Sequence, residues 1–190
     1  MPYRKTGLCA GEYYHLYNRG NNRQSIFLER DNYLLFLQRL KEHTTNMTVD
    51  VIAYCLMPNH YHLLVYPYLE NLSEMMQAFL LSYTKAMNKR YNRVGTLFQG
   101  RFKTAHVNQD EYLLQLSRYI HLNPVMAGLV THPEEWEYSS YLEFIGKRKG
   151  RLPKPDAILQ LFSSVEDYRA YVEAGIPKDK KTIDHLLLEN

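Results

Sequence analysis

Two histidines separated by a single residue are the sharpest chemical feature of the sequence. His60 and His62 stand in a run of β-branched and aromatic residues that predicts a strand over 60–66. Side chains alternate across a strand, so both imidazoles project from one face with Cα atoms roughly 6.6 Å apart, and Tyr61 points to the other face. Two rings placed in this way can share a metal ion. The alternative is a histidine pair on a sheet surface that binds no ligand.

A tyrosine and an asparagine form a second pair, on a predicted helix. Tyr119 and Asn123 are four residues apart, which makes them neighbours on one helical face. The apolar stripe of this helix would run along the face of Leu113, Leu116 and Ile120, leaving Tyr119 on a polar line. A tyrosine hydroxyl is protonated at neutral pH, so it attacks poorly until a base, a metal or a positive field helps to remove its proton. The pattern suits either a nucleophile or a tyrosine at the edge of the core.

A basic segment offers contacts to a nucleic acid. The segment 85–103 contains six Lys or Arg residues and no acidic residue, and phosphates are natural counterparts to such a segment. In a strand predicted over 96–107, Arg101 and Lys103 share one face and are candidate phosphate contacts. A solvated basic face is the alternative interpretation.

A turn after the first predicted strand is the second candidate contact region. The strand covers 13–18, and the turn that follows contains Arg19, Asn21 and Asn22. Donors on these side chains could reach the bases or the backbone of an exposed nucleic-acid strand. Ordinary turn chemistry, in which glycine and asparagine adopt positive φ, explains the same residues equally well.

The predicted strands and helices follow the order β-α-β-β-α-β-α. These elements must position the candidate residues described above. Strands are expected over 13–18, 49–56, 60–66 and 96–107, and helices over 31–43, 71–90 and 110–124. The first six elements have the ferredoxin-like pattern, which is an α+β fold with an antiparallel sheet and helices packed on one face. The last helix carries Tyr119 and is expected to end at Pro124. Asp31 should cap the first helix, and Leu34, Leu35, Leu37 and Leu40 should form its buried stripe.

The composition is typical of a globular protein, and the excess of positive charge lies in the first part of the chain. The chain has 190 residues, is 45% hydrophobic and carries a net charge of +3. Residues 1–133 hold 14 Lys/Arg against 9 Asp/Glu, whereas 134–190 hold 9 against 11. The sequence contains neither an apolar run of transmembrane length nor a signal-peptide pattern at the start, so we expect a cytoplasmic protein. The two cysteines, Cys9 and Cys55, suggest neither a disulfide framework nor a zinc site.

The basic and glycine-containing segment 146–154 suggests a boundary near residue 145. We expect a catalytic domain over residues 1–145, followed by a linker and a short helical C-terminal extension over 146–190. Two helical segments are predicted there, over 157–162 and 165–175, and both are too small to form a core of their own.

Four segments of the sequence form a further pattern when they are taken in order. They read HLYNRGNN (15–22), MPNHYHLL (57–64), GTLFQGRFK (95–103) and RYIHLNP (118–124). In this order they resemble the REP-associated tyrosine transposases, relatives of the bacterial insertion-sequence transposases that have an HUH motif and one tyrosine. The likeness spans about residues 10–145.

The resemblance implies a role for each residue of the two pairs. His60 and His62 would be the HUH metal ligands, Asn123 the third ligand, and Tyr119 the nucleophile that attacks a DNA phosphate. The cofactor implied is a divalent metal, Mg²⁺ or Mn²⁺. The implied partner is single-stranded or hairpin DNA of the repetitive extragenic palindrome type. The implied reaction is cleavage and strand transfer, as in transposition, through a 5′-phosphotyrosine intermediate.

Other functions stay open at the level of sequence. A nucleic-acid-binding ferredoxin-like module without catalysis would explain the basic segment, but it would make the two pairs coincidental. A zinc hydrolase of another class would need a third strong ligand and a general base, and none stands at a recognisable spacing. The recognised DNA sequence and the choice between monomer and homodimer are also undetermined.

Overall fold

The structure, a computed structural model, describes residues 8–108 and 110–176. Four strands are present, β1 Tyr13–Arg19, β2 Val49–Met57, β3 His60–Pro67 and β4 Lys103–Val107. Three long helices accompany them, α1 Arg30–Asn46, α2 Leu72–Arg90 and α3 Asp110–Met126, followed by three short ones, α4 Tyr141–Phe144, α5 Asp156–Leu159 and α6 Val165–Glu173. The predicted order of the first seven elements is therefore confirmed.

The four strands form one antiparallel sheet in the order β2-β3-β1-β4. Neighbouring strands run in opposite directions, with β1 paired to both β3 and β4. The sheet and its helices confirm the predicted ferredoxin-like α+β class. The β1–β3 register places Tyr17 opposite His62 and Arg19 opposite His60, so these four side chains share one face of the sheet.

One face of the sheet is covered by α1 and α2. Tyr61 lies on this face, fully buried, and its ring packs against Phe36 of α1 at a centroid distance of 5.2 Å. Phe36 in turn contacts Phe79 and Tyr83 of α2. The alternation predicted for Tyr61 is therefore realised, and the two histidines that flank it point to the opposite face. The hydroxyl of Tyr61 has no hydrogen-bond partner among the described residues.

The opposite face is covered by α3 and by the chain that follows it. Leu113, Leu116 and Ile120 of α3 are buried in a second core that includes Cys55, Met57 and Leu64 of the sheet. The predicted apolar stripe of this helix is therefore present. Because His60 and His62 lie on this same face, the helix that carries Tyr119 packs directly beside them.

Residues beyond 145 complete the second core. Ile158 of α5, and Tyr168 and Val172 of α6, are fully buried in it. The segment predicted as a linker is held along β2, where the backbone N–H of Lys154 donates to the carbonyl of Val51 at 2.8 Å. Arg148 in this segment pairs with Glu143 at 2.6 Å. Residues 177–190 of the predicted extension lie outside the described part of the chain.

Several local predictions were wrong in detail. Helix α1 is capped by Glu29 in a capping box with Asn32, and Asp31 lies within its first turn. Its buried face is formed by Tyr33, Phe36 and Leu40, while Leu34 is 42% exposed. Large aromatic rings bury more apolar area than leucine, so they decide which face turns inward.

The boundaries of two further elements also differ from the prediction. Helix α3 continues past Pro124 to Met126, because a proline in the last turn sacrifices only its own hydrogen bond to Ile120. Strand β4 starts at Lys103 instead of Thr96. Arg101 therefore lies outside the strand, and the alternation argument does not apply to it.

Among residues 8–108 and 110–176, no helix is both long and apolar enough to cross a bilayer.

Candidate active site

The two predicted pairs meet on the α3 face of the sheet. Asn123 Oδ1 lies 3.3 Å from His60 Nε2, although 63 residues separate them in the sequence. The ring of Tyr119 stands edge-on to the ring of His62 at a centroid distance of 5.3 Å and an angle of 83°. The fold therefore brings together all four residues that the two patterns singled out.

His60 is held so that its Nε2 faces the site. Its Nδ1 lies 2.7 Å from Asn59 Oδ1, and the amide of Asn59 is itself oriented by donating to the carbonyl of Arg23 at 3.3 Å. Both ring nitrogens face a carbonyl oxygen, and a neutral ring has one proton for them; the shorter contact, to Asn59, favours the tautomer with the proton on Nδ1, in which Nε2 keeps its electron pair. Burial lowers the pKa of His60, which keeps the ring neutral near pH 7.

Asn123 is oriented in the same way. Its Nδ2 donates to the carbonyl of Tyr119 at 3.4 Å, which turns Oδ1 towards His60. In the tautomer of His60 with the proton on Nδ1, two electron-pair donors, His60 Nε2 and Asn123 Oδ1, lie 3.3 Å apart. Such an arrangement favours a cation at this position.

The third candidate donor atom of the site is Nε2 of His62. The side chain is 4% exposed, and its Nε2 is buried without a hydrogen-bond partner among the described residues. Its Nδ1 lies 2.9 Å from His15 Nε2. Burial, and then the proximity of His15 and His60, lower the pKa of His62 well below its ordinary value. A buried polar atom without a partner is costly, and a metal ion would supply the partner.

The chemistry of the donor set is compatible with a divalent cation, for which the amide oxygen of Asn123 could be a third protein ligand. Within residues 8–108 and 110–176, no three His, Cys, Asp or Glu side chains are grouped to hold a metal ion. The two imidazole nitrogens are instead joined by Asn123 Oδ1. Such a set leaves coordination positions for oxygen atoms of phosphate or water, which suits Mg²⁺ or Mn²⁺.

His121 does not take part in this site. It lies only two residues from Tyr119, but it projects into the second core. Its Nδ1 lies 2.7 Å from the hydroxyl of Tyr168, and its Nε2 lies 2.9 Å from Ser140 Oγ. Burial lowers the pKa of His121 to about 3. Both ring nitrogens are used within the protein, so this histidine is structural.

A cleft of about 1140 Å³ opens over the histidine pair, and it also receives two of the predicted DNA contacts. Arg19 and Lys103 line it together with Tyr119. Lys103 Nζ lies 5.8 Å from the centre of the Tyr17 ring, and Arg19 Nε donates to Gln99 Oε1. Positive charge therefore surrounds the mouth of the site.

The other three predicted DNA contacts are not among the residues that line the cleft. Asn21 and Asn22 lie in a 3₁₀ helix beside it, where Asn22 has a φ of 52°. The backbone N–H of Asn21 donates to the carbonyl of Leu97 at 2.9 Å. Arg101 is exposed just before β4.

Sequence patterns alone did not single out His15, Tyr17 or Asn59. His15 and Tyr17 line the cleft with Asn59, and the His15 and His62 rings are nearly parallel at 21° with centroids 5.1 Å apart. Alternation along β1 could have grouped His15, Tyr17 and Arg19 on one face. Nothing local, however, indicated that this face would meet the histidine pair.

Comparison with known proteins identifies a family of similar sequences. The sequence model of the family described as "Transposase IS200 like" matches residues 10–123, a range that contains all four residues of the two pairs. A protein of Haemophilus influenzae, provisionally named a REP-associated tyrosine transposase, is 26% identical over 117 residues. That match covers 56% of this chain and 66% of the relative's length.

A solved structure of a REP-associated tyrosine transposase bound to a REP hairpin has a similar fold. It superposes with a TM-score of 0.66 at 17% identity, covering 81% of this chain and 94% of that one. The resemblance drawn from the sequence motifs is thus confirmed. Since the family match covers more than half of its length, this chain belongs to the IS200-like transposases, a family of DNA-processing enzymes.

Proposed function

We propose that this protein is a divalent-metal-dependent endonuclease and strand transferase that cleaves single-stranded DNA at hairpin-associated sites. Tyr119 is the nucleophile, and His60, His62 and Asn123 hold Mg²⁺ or Mn²⁺. The observation that carries the proposal is the contact of His60 Nε2 with Asn123 Oδ1 at 3.3 Å, on the sheet face that also carries His62 and beside the exposed ring of Tyr119. His62 Nε2 on this face is buried without a hydrogen-bond partner in the described chain.

The chain's own groups prepare the site for a cation. The 2.7 Å contact with Asn59 favours the tautomer of His60 with the proton on Nδ1, and the carbonyl of Tyr119 accepts a hydrogen bond from the amide of Asn123. A bound divalent cation would polarise the scissile phosphate and offset the charge that develops on its oxygens. The position of Tyr119 four residues before Asn123 keeps the nucleophile and the ligand on one rigid helical face.

In the proposed reaction, the Tyr119 hydroxyl oxygen attacks the scissile phosphorus. The new bond joins the tyrosine oxygen to phosphorus, while the bond from phosphorus to the 3′ oxygen of the preceding nucleotide breaks. The phenol proton leaves to solvent, and the departing 3′ oxygen takes up a proton. The products are a 5′-phosphotyrosine and a free 3′-hydroxyl, whose attack on the phosphotyrosine reverses the reaction and joins strands. Bond energy is conserved, so no nucleotide cofactor is required.

Positive groups around the cleft would hold the DNA strand. Arg19 and Lys103 line the cleft and are positioned for phosphate contacts. Asn21, Asn22 and Arg101 would contact DNA outside the cleft, on the flanks of the site. A hairpin substrate is supported by the REP hairpin named with the solved relative.

We place the boundary between a catalytic domain and a C-terminal extension near residue 145. Residues 1–145 contain every candidate catalytic residue, and residues 146–190 are an extension. The described part of this extension contributes α6 to the core behind α3, where Tyr168 bonds His121. Its role would therefore be to fix the helix that carries Tyr119.

The test uses labelled hairpin oligonucleotides with single-stranded flanks, copied from the DNA that flanks the gene. The protein is incubated with them and with Mn²⁺, with Mg²⁺ or with EDTA, and covalent protein–DNA adducts are separated under denaturing conditions. Adduct that requires the metal and retains a label at the 3′ end of the strand supports the proposal, because a label at the 5′ end should leave with the fragment that bears the free 3′-hydroxyl. DNA binding without any adduct, whatever the metal, would support a binding module without catalysis.

A further inference from the structure

We infer that His15 is a positioning residue for His62. Its Nε2 accepts a hydrogen bond from His62 Nδ1 and thereby leaves the electron pair of His62 Nε2 available to a divalent cation. The inference rests on the proposed function, because it assigns a role within the same metal site.

The contact between the two histidines is short and buried. His15 Nε2 and His62 Nδ1 are 2.9 Å apart, and the side chains are 8% and 4% exposed. Their position follows from the sheet, where His15 lies opposite Leu64, two residues beyond His62 on the same face. The ring of Tyr17, stacked on His15 at a centroid distance of 4.9 Å, covers the pair.

Two ring nitrogens at a hydrogen-bonding distance of 2.9 Å share one proton, so one of two proton arrangements must hold. If His62 Nδ1 carries the proton, it donates to His15 and leaves an electron pair on Nε2. If His15 Nε2 carries the proton, His62 must hold its own proton on the buried Nε2, where the described chain supplies no acceptor.

The first arrangement is favoured on physical grounds. Buried N–H donors without an acceptor are rarer and costlier than acceptors left unpaired. Metal-binding histidines also donate their second ring nitrogen to an acceptor that fixes the tautomer, and loss of that acceptor typically weakens metal binding 10–100-fold.

His60, the neighbouring candidate ligand, has a similar hydrogen-bond partner. Asn59 Oδ1 accepts from His60 Nδ1 at 2.7 Å, just as His15 Nε2 accepts from His62 Nδ1. Each candidate imidazole ligand therefore has its own acceptor on the side away from the site. Packing alone would not require His15 Nε2 to lie within hydrogen-bonding distance of His62 Nδ1.

The test compares His15→Leu with His15→Gln. Leucine fills a similar volume without an acceptor, whereas the glutamine amide oxygen reaches approximately the position of Nε2 and can accept. His106→Leu is the matched control, because His106 lies exposed on strand β4 of the same sheet and pairs with Glu12. Calorimetry gives the Mn²⁺ affinity of each purified variant, and circular dichroism verifies its fold. Long-range ¹H–¹⁵N NMR of the metal-free protein reports which nitrogen of His62 is protonated.

We expect His15→Leu to weaken Mn²⁺ binding about 10–100-fold, while His15→Gln stays closer to wild type and His106→Leu binds as wild type does. In the metal-free wild type, His62 Nε2 should show the chemical shift of an unprotonated nitrogen, and His15→Leu should mix the two tautomers. Wild-type affinity in His15→Leu, or a protonated His62 Nε2 in the wild type, would overturn the role of His15 alone. A wild-type protein that binds no Mn²⁺ would instead remove the metal site and the proposed function together.

Discussion

Replacement of Tyr119 by phenylalanine separates a chemical role of this residue from a structural one. The ring is 37% exposed and contacts His62 and His15 edge-on, with centroid distances of 5.3 and 6.4 Å. These contacts are made by the ring, so they survive when only the oxygen is removed. The structural loss is at most one hydrogen bond, about 1 kcal/mol, which corresponds to a fall in the melting temperature of roughly 2–4 °C.

The chemical loss should be much larger. Without the hydroxyl oxygen there is no atom to bond to phosphorus, so adduct formation should fall about a thousandfold or more, as when other enzymes lose their nucleophile. The assay follows covalent adduct and cleaved strand on a labelled hairpin substrate with Mn²⁺. Binding of the same substrate is measured in parallel by mobility shift and should stay near wild type.

Tyr112→Phe is the matched control for this experiment. Tyr112 lies seven residues earlier on α3, lines the same cleft and is 38% exposed, so the same atom is removed from a similar environment. We expect Tyr112→Phe to form adduct at the wild-type rate. Adduct at a near-normal rate in Tyr119→Phe would refute the assignment, and another tyrosine, such as Tyr17 in the same cleft, would then have to be the nucleophile.

Three further predictions concern the metal site and the second core. His60→Ala should abolish both cleavage and the rise in melting temperature that Mn²⁺ gives the wild type, and a retained rise in differential scanning fluorimetry would contradict the ligand role. Tyr168→Phe removes the hydroxyl 2.7 Å from His121 Nδ1 and should lower the free energy of unfolding in urea by about 1–3 kcal/mol, whereas Tyr171→Phe on the same helix should change it little. Because the folded pKa of His121 is lowered to about 3 from an ordinary 6.5, the unfolded chain binds the extra proton and stability is lost as pH falls below 6.5. The wild type should therefore lose about 2 kcal/mol more than His121→Gln between pH 7 and pH 5, and equal losses would show that this histidine does not titrate in that way.

Local geometry was predictable from the sequence because it belongs to single elements. Alternation within β3 placed His60 and His62 on one face and Tyr61 on the other, and helical spacing placed Tyr119 beside Asn123. These relations require only that a segment adopt its regular conformation. The order of the elements was predictable for the same reason, and with it the ferredoxin-like fold.

Boundaries and buried faces were less predictable because packing competes with local preference. The leucines of α1 suggested one stripe, but Tyr33 and Phe36 turned another face inward. Along β2, a register shift between Val51 and Ala53 interrupts the alternation that a regular strand would give. The start of β4 likewise depends on where β1 offers a partner, which the residues of β4 do not encode.

Only the tertiary structure decided which elements meet at the site. The 3.3 Å approach of Asn123 to His60 and the 2.9 Å contact of His15 with His62 join residues 63 and 47 positions apart. Each contact depends on how α3 packs on the sheet or on which strand lies beside β3. That choice is made by the summed burial of two cores, and no short segment contains it. The sequence therefore determined the chemical groups and their local spacing, whereas long-range packing brought them together into one site.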